Sequence, residues 1–183
     1  TGSPSSLEPG FSWRRQKAPG SSQLMAIAWS GSRFVAVGGQ PTPVFTSPDG
    51  FRWSGMYPGI GGLEDVRGLA DVIYADQFVA VGYSREYRPT IQTSQDGVTW
   101  KSVRVPPIVR TLEGVAWSGN RFVAVGDELS RDVQVISILS SADAIDWMSQ
   151  SSTVQGGLKE VTWSGSQFVA VGNRWVGRDS PNP

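Results

Sequence analysis

The sequence predicts an all-β fold made of four similar units, and three observations support this prediction. The string Phe-Val-Ala-Val-Gly occurs four times, beginning at Phe34, Phe78, Phe122 and Phe168, at spacings of 44, 44 and 46 residues. A short turn containing Asp precedes a Trp in three of these units. No stretch of the 183 residues shows sustained helical periodicity. Repetition at this period is typical of structural units that pack side by side along a chain.

The first two strands of each unit are predicted to form a hairpin. The first strand alternates, as in residues 114–117, and the second is the apolar Phe-Val-Ala-Val run, which Gly bounds. A Trp-Ser-Gly turn joins the two strands in three units, beginning at Trp29, Trp117 and Trp163. The second unit differs, because its turn begins at Tyr74 and is one residue shorter.

The third and fourth strands of each unit are predicted to flank the turn that contains Asp. β-rich segments at 44–46, 90–93 and 135–139 lead into this turn. Asp-Gly favours a hairpin because Gly accepts a positive φ and Asp can accept hydrogen bonds from the following backbone amides. The third copy has Ala144 in place of the Gly. A further copy of this ending lies at the start of the chain, where residues 10–13 match residues 50–53.

Four-stranded antiparallel units of 44 to 46 residues predict a β-propeller of four blades. In this interpretation residues 1–10 are a Pro/Ser-rich segment, residues 11–177 are a single propeller domain, and residues 178–183 are a tail. The N-terminal strand, residues 11–15, would close the last blade and leave no bare sheet edge. A larger ring, completed by a second copy or by residues of a longer protein, stays open as an alternative.

The units resemble bacterial BNR-type repeats, the Asp-box family found in sialidases, sortilin-like receptors and photosystem-assembly-factor propellers. The family box is Ser-x-Asp-x-Gly-x-x-Trp, and here it is shortened to Ser-x-Asp-Gly-x-x-Trp. The resemblance implies a propeller whose boxes lie on the face away from the binding site. It also implies an extracellular, periplasmic or cell-envelope location.

Composition excludes several kinds of chemistry. The chain has no Cys and no His, so it has no disulfide, no thiol nucleophile, no Ser-His-Asp triad and no imidazole metal ligand. Sixteen basic residues balance 16 acidic ones, which gives little net attraction for phosphate. Its apolar runs are far too short to span a membrane. We therefore expect no nucleic-acid partner, no membrane insertion, no cofactor and no metal.

Residues that recur at equivalent positions of several units are predicted to be structural. Recurring apolar residues of repeat proteins pack between units, and an Asp that accepts turn amides needs no ligand. The residues assigned to this class are Trp13, Trp29, Asp49, Trp53, Asp96, Trp100, Trp117, Asp143, Trp147 and Trp163.

Residues that differ between units are the candidates for function, because a rigid scaffold usually places specificity in its loops. The loops that follow the four Phe-Val-Ala-Val-Gly motifs should lie on one face, and Tyr, Trp and Arg are common anchors of binding surfaces. The predicted ligand-binding residues are Gln40, Tyr83, Arg85, Glu86, Tyr87, Arg88, Asp127, Glu128, Arg131, Arg174, Trp175 and Arg178. The favoured function is a non-catalytic module that binds a protein or a glycan.

Two alternatives stay open. The first is an architectural domain of a larger secreted or envelope protein, with the Pro/Ser-rich ends as linkers. The second is a sialidase-like glycoside hydrolase that uses two of the carboxylates Glu86, Asp127, Glu128 and Asp179. The Arg-Ile-Pro type signature that the sialidase resemblance would require is absent from the sequence.

Overall fold

The structure is a computed structural model that describes residues 14–16, 20, 22–56, 62–107, 109, 111–130, 133–150, 152 and 154–173. The regular elements in these residues are all β-strands. The described residues contain no helix that is long and apolar enough to cross a membrane. The strands are β1 (Leu24–Trp29), β2 (Phe34–Gly38), β3 (Val44–Ser47), β4 (Ser54–Met56), β5 (Val66–Tyr74), β6 (Phe78–Ser84), β7 (Pro89–Ser94), β8 (Lys101–Val103), β9 (Thr111–Trp117), β10 (Phe122–Ser130), β11 (Val133–Ser141), β12 (Met148–Gln150), β13 (Gly157–Trp163) and β14 (Phe168–Asn173).

The strands form three antiparallel four-stranded sheets and one hairpin. Sheet one is β1-β2-β3-β4, sheet two is β5-β6-β7-β8, sheet three is β9-β10-β11-β12, and the hairpin is β13-β14. This confirms the all-β fold and the four-stranded antiparallel units. The number of blades and the closure of the ring stay predictions, because residues 11–13 and 174–177 lie outside the described part.

A β-bulge in the first strand explains why each Phe-Val-Ala-Val run ends in Gly. The strand register shifts at one point in each of β1, β9 and β13, and at two points in β5. A Cβ on Gly38, Gly82, Gly126 or Gly172 would lie only 1.9 to 2.2 Å from a backbone carbonyl oxygen of the bulged strand or, for Gly38, of the residue just before it. Any larger residue would therefore force the hairpin apart.

Successive sheets pack face to face through apolar clusters. Val35 and Val37 of sheet one are buried with Leu69 and Val72 of sheet two. The equivalent Val and Leu residues of sheets two and three are buried together. A smaller cluster of equivalent residues lies between sheet three and the last hairpin. The core therefore lies between the sheets, as expected for units that each contact only their neighbours.

Candidate functional site

The loops that follow the first two Phe-Val-Ala-Val-Gly motifs lie together around a cleft. Gln40 from the β2–β3 loop, Arg85 from the β6–β7 loop and Arg67 from β5 line this cleft, whose volume is about 320 Å³. The Gln40 side-chain amide donates a hydrogen bond to the Val66 carbonyl oxygen at 3.5 Å. The structure thus brings together two of the predicted residues, one from each of two neighbouring units.

Local hydrogen bonds hold the β6–β7 loop in place. The backbone N–H of Ser84 donates to the Arg88 carbonyl at 2.7 Å, and that of Tyr87 donates to the Ser84 carbonyl at 3.0 Å. The N–H of Arg85 donates to the Asp65 carbonyl at 2.8 Å, which ties the loop to the chain before β5. Because its backbone is bonded in this way, the loop can present side chains without first becoming ordered.

Two Tyr rings and an Arg form one cluster beside the cleft. The Tyr83 and Tyr87 rings are stacked, with centroids 6.2 Å apart and planes 4° apart. The guanidinium carbon of Arg67 lies 4.3 Å from the Tyr87 ring centroid, within cation–π distance. A Cβ on Gly68 would come within 2.9 Å of the Tyr83 ring, so this Gly makes room for the stack. The cluster fixes Arg67 at the edge of the cleft.

The cleft has an excess of positive charge. Arg88 is paired with Glu86 at 3.0 Å, and both side chains are exposed. Neither Arg67 nor Arg85 forms an ion pair with any residue that the structure describes. Two guanidinium groups and the Gln40 amide therefore offer hydrogen-bond donors to an acidic group.

Of the six remaining predicted binding residues, two lie in β10 and four lie outside the residues that the structure describes. Asp127 is buried in β10, where its carboxylate accepts a hydrogen bond from the Thr111 hydroxyl at 2.8 Å. Glu128 follows it in β10. Arg131, Arg174, Trp175 and Arg178 are outside the described residues. Convergence of the third and fourth loops on the same face therefore stays a prediction.

The Asp boxes are turns closed by their own carboxylates. Asp49 accepts hydrogen bonds from the backbone N–H groups of Phe51 and Arg52, each at 2.9 Å. These bonds lower the pKa of Asp49 well below its usual value, and the bond from the Arg52 N–H has the largest effect. Asp96 and Asp143 accept the equivalent bonds, and their pKa values are lowered for the same reason. The three carboxylates stabilise turns and are already engaged.

The recurring Trp side chains contact the Phe of the motif within each sheet. Phe34 lies between Trp29 and Trp53, with ring centroids 4.2 and 6.3 Å away. The equivalent contacts are Tyr74–Phe78–Trp100, Trp117–Phe122–Trp147 and Trp163–Phe168. Trp100 and Trp147 belong to the clusters between sheets, whereas Trp29 is 44% exposed. Trp13 lies outside the described residues.

Sequence reasoning missed Arg67, although a signal for it existed. In an antiparallel hairpin, the start of the first strand lies beside the loop that follows the second strand. Arg67 is at the start of β5, and its neighbour Gly68 pairs with Tyr83. The loop prediction should therefore have included the opening residues of each first strand.

A second polar cluster, Asp71 and Glu160, was also missed. It lies at a cavity of about 570 Å³ that β5, β9 and β13 line. Asp71 accepts hydrogen bonds from the N–H groups of Val72 at 2.8 Å and Val115 at 2.9 Å, so it joins sheet two to sheet three. Burial raises the pKa of Asp71, and burial together with the Asp71 charge raises the pKa of Glu160. Since both Asp71 oxygens accept backbone bonds, the geometry favours a structural role. No group of three or more metal-ligating side chains occurs among the described residues.

Comparison with known proteins places the fold among propellers. No protein-family model matches the chain, and no curated protein matches its sequence. The computationally designed protein Ika4 is similar in structure, with a TM-score of 0.56, 12% identity, and coverage of 88% of this chain and 93% of that one. YCF48 bound to D1 peptide gives a TM-score of 0.55 and 14% identity over 87% of this chain and 50% of that one.

A more distant match is the GH32 beta-fructofuranosidase of Bombyx mori in complex with sucrose. Its TM-score is 0.51 at 10% identity, over 88% of this chain and 45% of that one. The chain spans about half the length of YCF48 and of the fructofuranosidase. At these identities the likeness shows a propeller-type fold and leaves function to be argued from the site.

Proposed function

We propose that this chain is a non-catalytic binding module of the BNR/Asp-box-like propeller type, which recognises a protein or glycan partner through its loop face. The observation that supports this most strongly is the cleft lined by Gln40, Arg67 and Arg85. Its two arginines have no ion-pair partner among the described residues. The shortened boxes, with their bonded carboxylates, support the Asp-box likeness.

The cleft is suited to an acidic group on the partner. A guanidinium group donates two parallel hydrogen bonds to a carboxylate, and such charge-assisted bonds are stronger than neutral ones. The Tyr87 ring is 62% exposed beside Arg67, so it adds an apolar contact at the edge of the cleft. Aromatic and Arg side chains together are typical of the energetic centre of binding surfaces.

The two candidate carboxylates whose side chains the structure describes, those of Glu86 and Asp127, give little support for hydrolysis. Glu86 is paired with Arg88, and the Asp127 side chain is buried in β10. A glycosidase needs two carboxyl groups that both reach the scissile bond. A YCF48 structure of similar fold contains a bound peptide, which supports a peptide as one class of partner.

The test compares binding by wild type and by an Arg67→Gln/Arg85→Gln variant. One array would present peptides with clustered Asp and Glu beside their Asn and Gln counterparts, and another would present glycans with and without carboxylates. We expect the wild-type protein to bind selectively to the acidic members of one array. The Arg67→Gln/Arg85→Gln variant should lose this binding. Arg121→Gln is the matched control, because Arg121 is exposed in the β9–β10 turn, away from the cleft.

Each outcome distinguishes one function from another. Binding that depends on Arg67 and Arg85 but not on Arg121 supports the module, and the array shows whether the partner is a peptide or a glycan. No binding on either array contradicts the proposal and favours an architectural domain. Turnover of a bound glycan would contradict the non-catalytic assignment.

A further inference from the structure

Each contact between successive sheets uses the same four positions. The earlier sheet contributes the two Val side chains of its motif. The later sheet contributes a Leu opposite its motif Gly and a Val opposite its motif Ala. These side chains are buried together or packed against one another at all three contacts. The sets are Val35, Val37, Leu69 and Val72; Val79, Val81, Leu112 and Val115; and Val123, Val125, Leu158 and Val161.

One half of this contact is uncovered at each end of the described residues. In β14, Val169 is 44% exposed and Val171 is 61% exposed. In β1, Leu24 is 41% exposed and Ile27 is 58% exposed. Leu24 pairs with the motif Gly and Ile27 with the motif Ala, in the same register as their buried equivalents. The two ends therefore present complementary halves of a contact that the chain already makes three times.

We propose that a second copy of this chain docks head to tail, with its Leu24 and Ile27 packed on Val169 and Val171 of the first copy. The apolar clusters found in the described residues join consecutive sheets, and none joins β14 to β1. Repeat arrays normally end in units with a polar outer face. The two end strands of the described residues are apolar instead, and each matches the missing half of the contact at the other end.

The contact is heterologous, since the two copies contribute different surfaces. A heterologous contact closes into a ring when the rotation between copies allows it and otherwise extends into a filament. Closure between two copies makes the same contact twice and leaves no apolar end. In that arrangement the second copy covers the β14 face in the way that sheet three covers the equivalent face of β6.

The experiment measures mass in solution by light scattering and sedimentation across a dilution series. For wild type we expect the mass to fall on dilution from at least twice that of one chain to the 19.7 kDa of a single chain. Val171→Lys and Ile27→Glu should each give a monomer at all concentrations, because each places a charge in the apolar contact. An equimolar mixture of the two variants should associate again, since one contact is then wild type and the other joins opposite charges.

Ile145→Lys is the control, because Ile145 is 60% exposed on an Asp-box turn, away from both ends. It should associate like wild type, and all variants should keep the wild-type circular dichroism spectrum. A wild-type protein that is monomeric at every concentration overturns the proposal. That result would mean that the chain closes on itself or that residues 1–13 or 174–183 cover β14. Association that neither end variant weakens also overturns it. So does a mixture that fails to associate, because a head-to-tail contact leaves one wild-type interface between the two variants.

Discussion

β6 and β14 begin with the same five residues but differ in what covers them. Val79 and Val81 are fully buried, whereas Val169 is 44% and Val171 61% exposed. The pairing at the motif Gly is the same in both hairpins, because this Gly pairs with a Leu beside a bulge in each. The motif therefore specifies the hairpin, and the next sheet supplies the burial. Substitutions at equivalent positions of the two hairpins separate these two contributions.

The largest expected effect is that of replacing the motif Gly. In Gly82→Ala the new Cβ would meet the Gly68 carbonyl oxygen at 2.2 Å. Because backbone must move to relieve this overlap, we expect a loss of about 3 kcal/mol in the free energy of unfolding. Urea unfolding followed by fluorescence measures it. Gly39→Ala is the control, since a Cβ there meets nothing within 4 Å and should change stability by less than about 0.5 kcal/mol.

Gly172→Ala tests whether the exposed hairpin obeys the same rule. Its Cβ would meet the Gly157 carbonyl oxygen at 2.1 Å, although the strand is exposed. We expect amide hydrogen exchange in residues 157–173 to accelerate strongly while exchange in sheet two is unchanged. Unchanged exchange in the last hairpin would show that the Gly requirement depends on burial rather than on the bulge.

The next effect separates burial from hairpin formation. Val81→Ala removes two buried methyl groups and leaves a cavity between sheets two and three, at a cost of about 2 to 3 kcal/mol. Val171→Ala makes the same change at the equivalent exposed position and should cost less than about 0.5 kcal/mol. Urea unfolding of dilute, monomeric protein measures both changes. Equal costs would mean that the β14 face is covered in solution even in the monomer.

The same distinction explains what the sequence could and could not predict. The four repeats, the hairpins, the Asp-box turns and the all-β fold follow from local patterns that recur, such as the motif that begins at Phe78. The bulges do not, because an extra residue in an alternating strand leaves no mark in composition. For this reason the sequence predicted neither the orientation of Asp71 towards Val115 nor its role between sheets.

The candidate site was predictable only in part. Gln40 and Arg85 lie in variable loops at equivalent places in two units, so repeat alignment alone brings them to one face. Arg67 completes the cleft from within a strand, and its position depends on contact with Tyr87. Contacts of this kind join side chains 20 residues apart and leave no local pattern in the sequence.

Acid provides a smaller test, because the Asp boxes occur in sheets one to three. Their carboxylates have pKa values below the usual 3.8. Their stabilisation is therefore complete above about pH 4 and is lost as the pH falls through the lowered folded-state values. Asp71 acts in the opposite sense, since burial raises its pKa and protonation favours its folded form. We expect the urea concentration at the unfolding midpoint to decrease as the pH is lowered below 4, and to decrease less steeply in Asp49→Asn. A steeper fall in that variant would contradict the turn assignment.

The smallest expected effect concerns the third box, where Ala144 replaces the Gly. Ala144 has a φ of 63°, which costs a residue with a side chain about 1 to 2 kcal/mol. Its methyl group is fully buried between sheets two and three, which returns about 0.8 kcal/mol. Ala144→Gly should therefore change the free energy of unfolding by less than about 1 kcal/mol.

Gly97→Ala, the reverse change in the second box, should cost clearly more, because its Cβ would lie 2.6 Å from the buried Val35 side chain. Equal and opposite effects in the two boxes would mean that φ alone decides this position and that the neighbouring sheet does not.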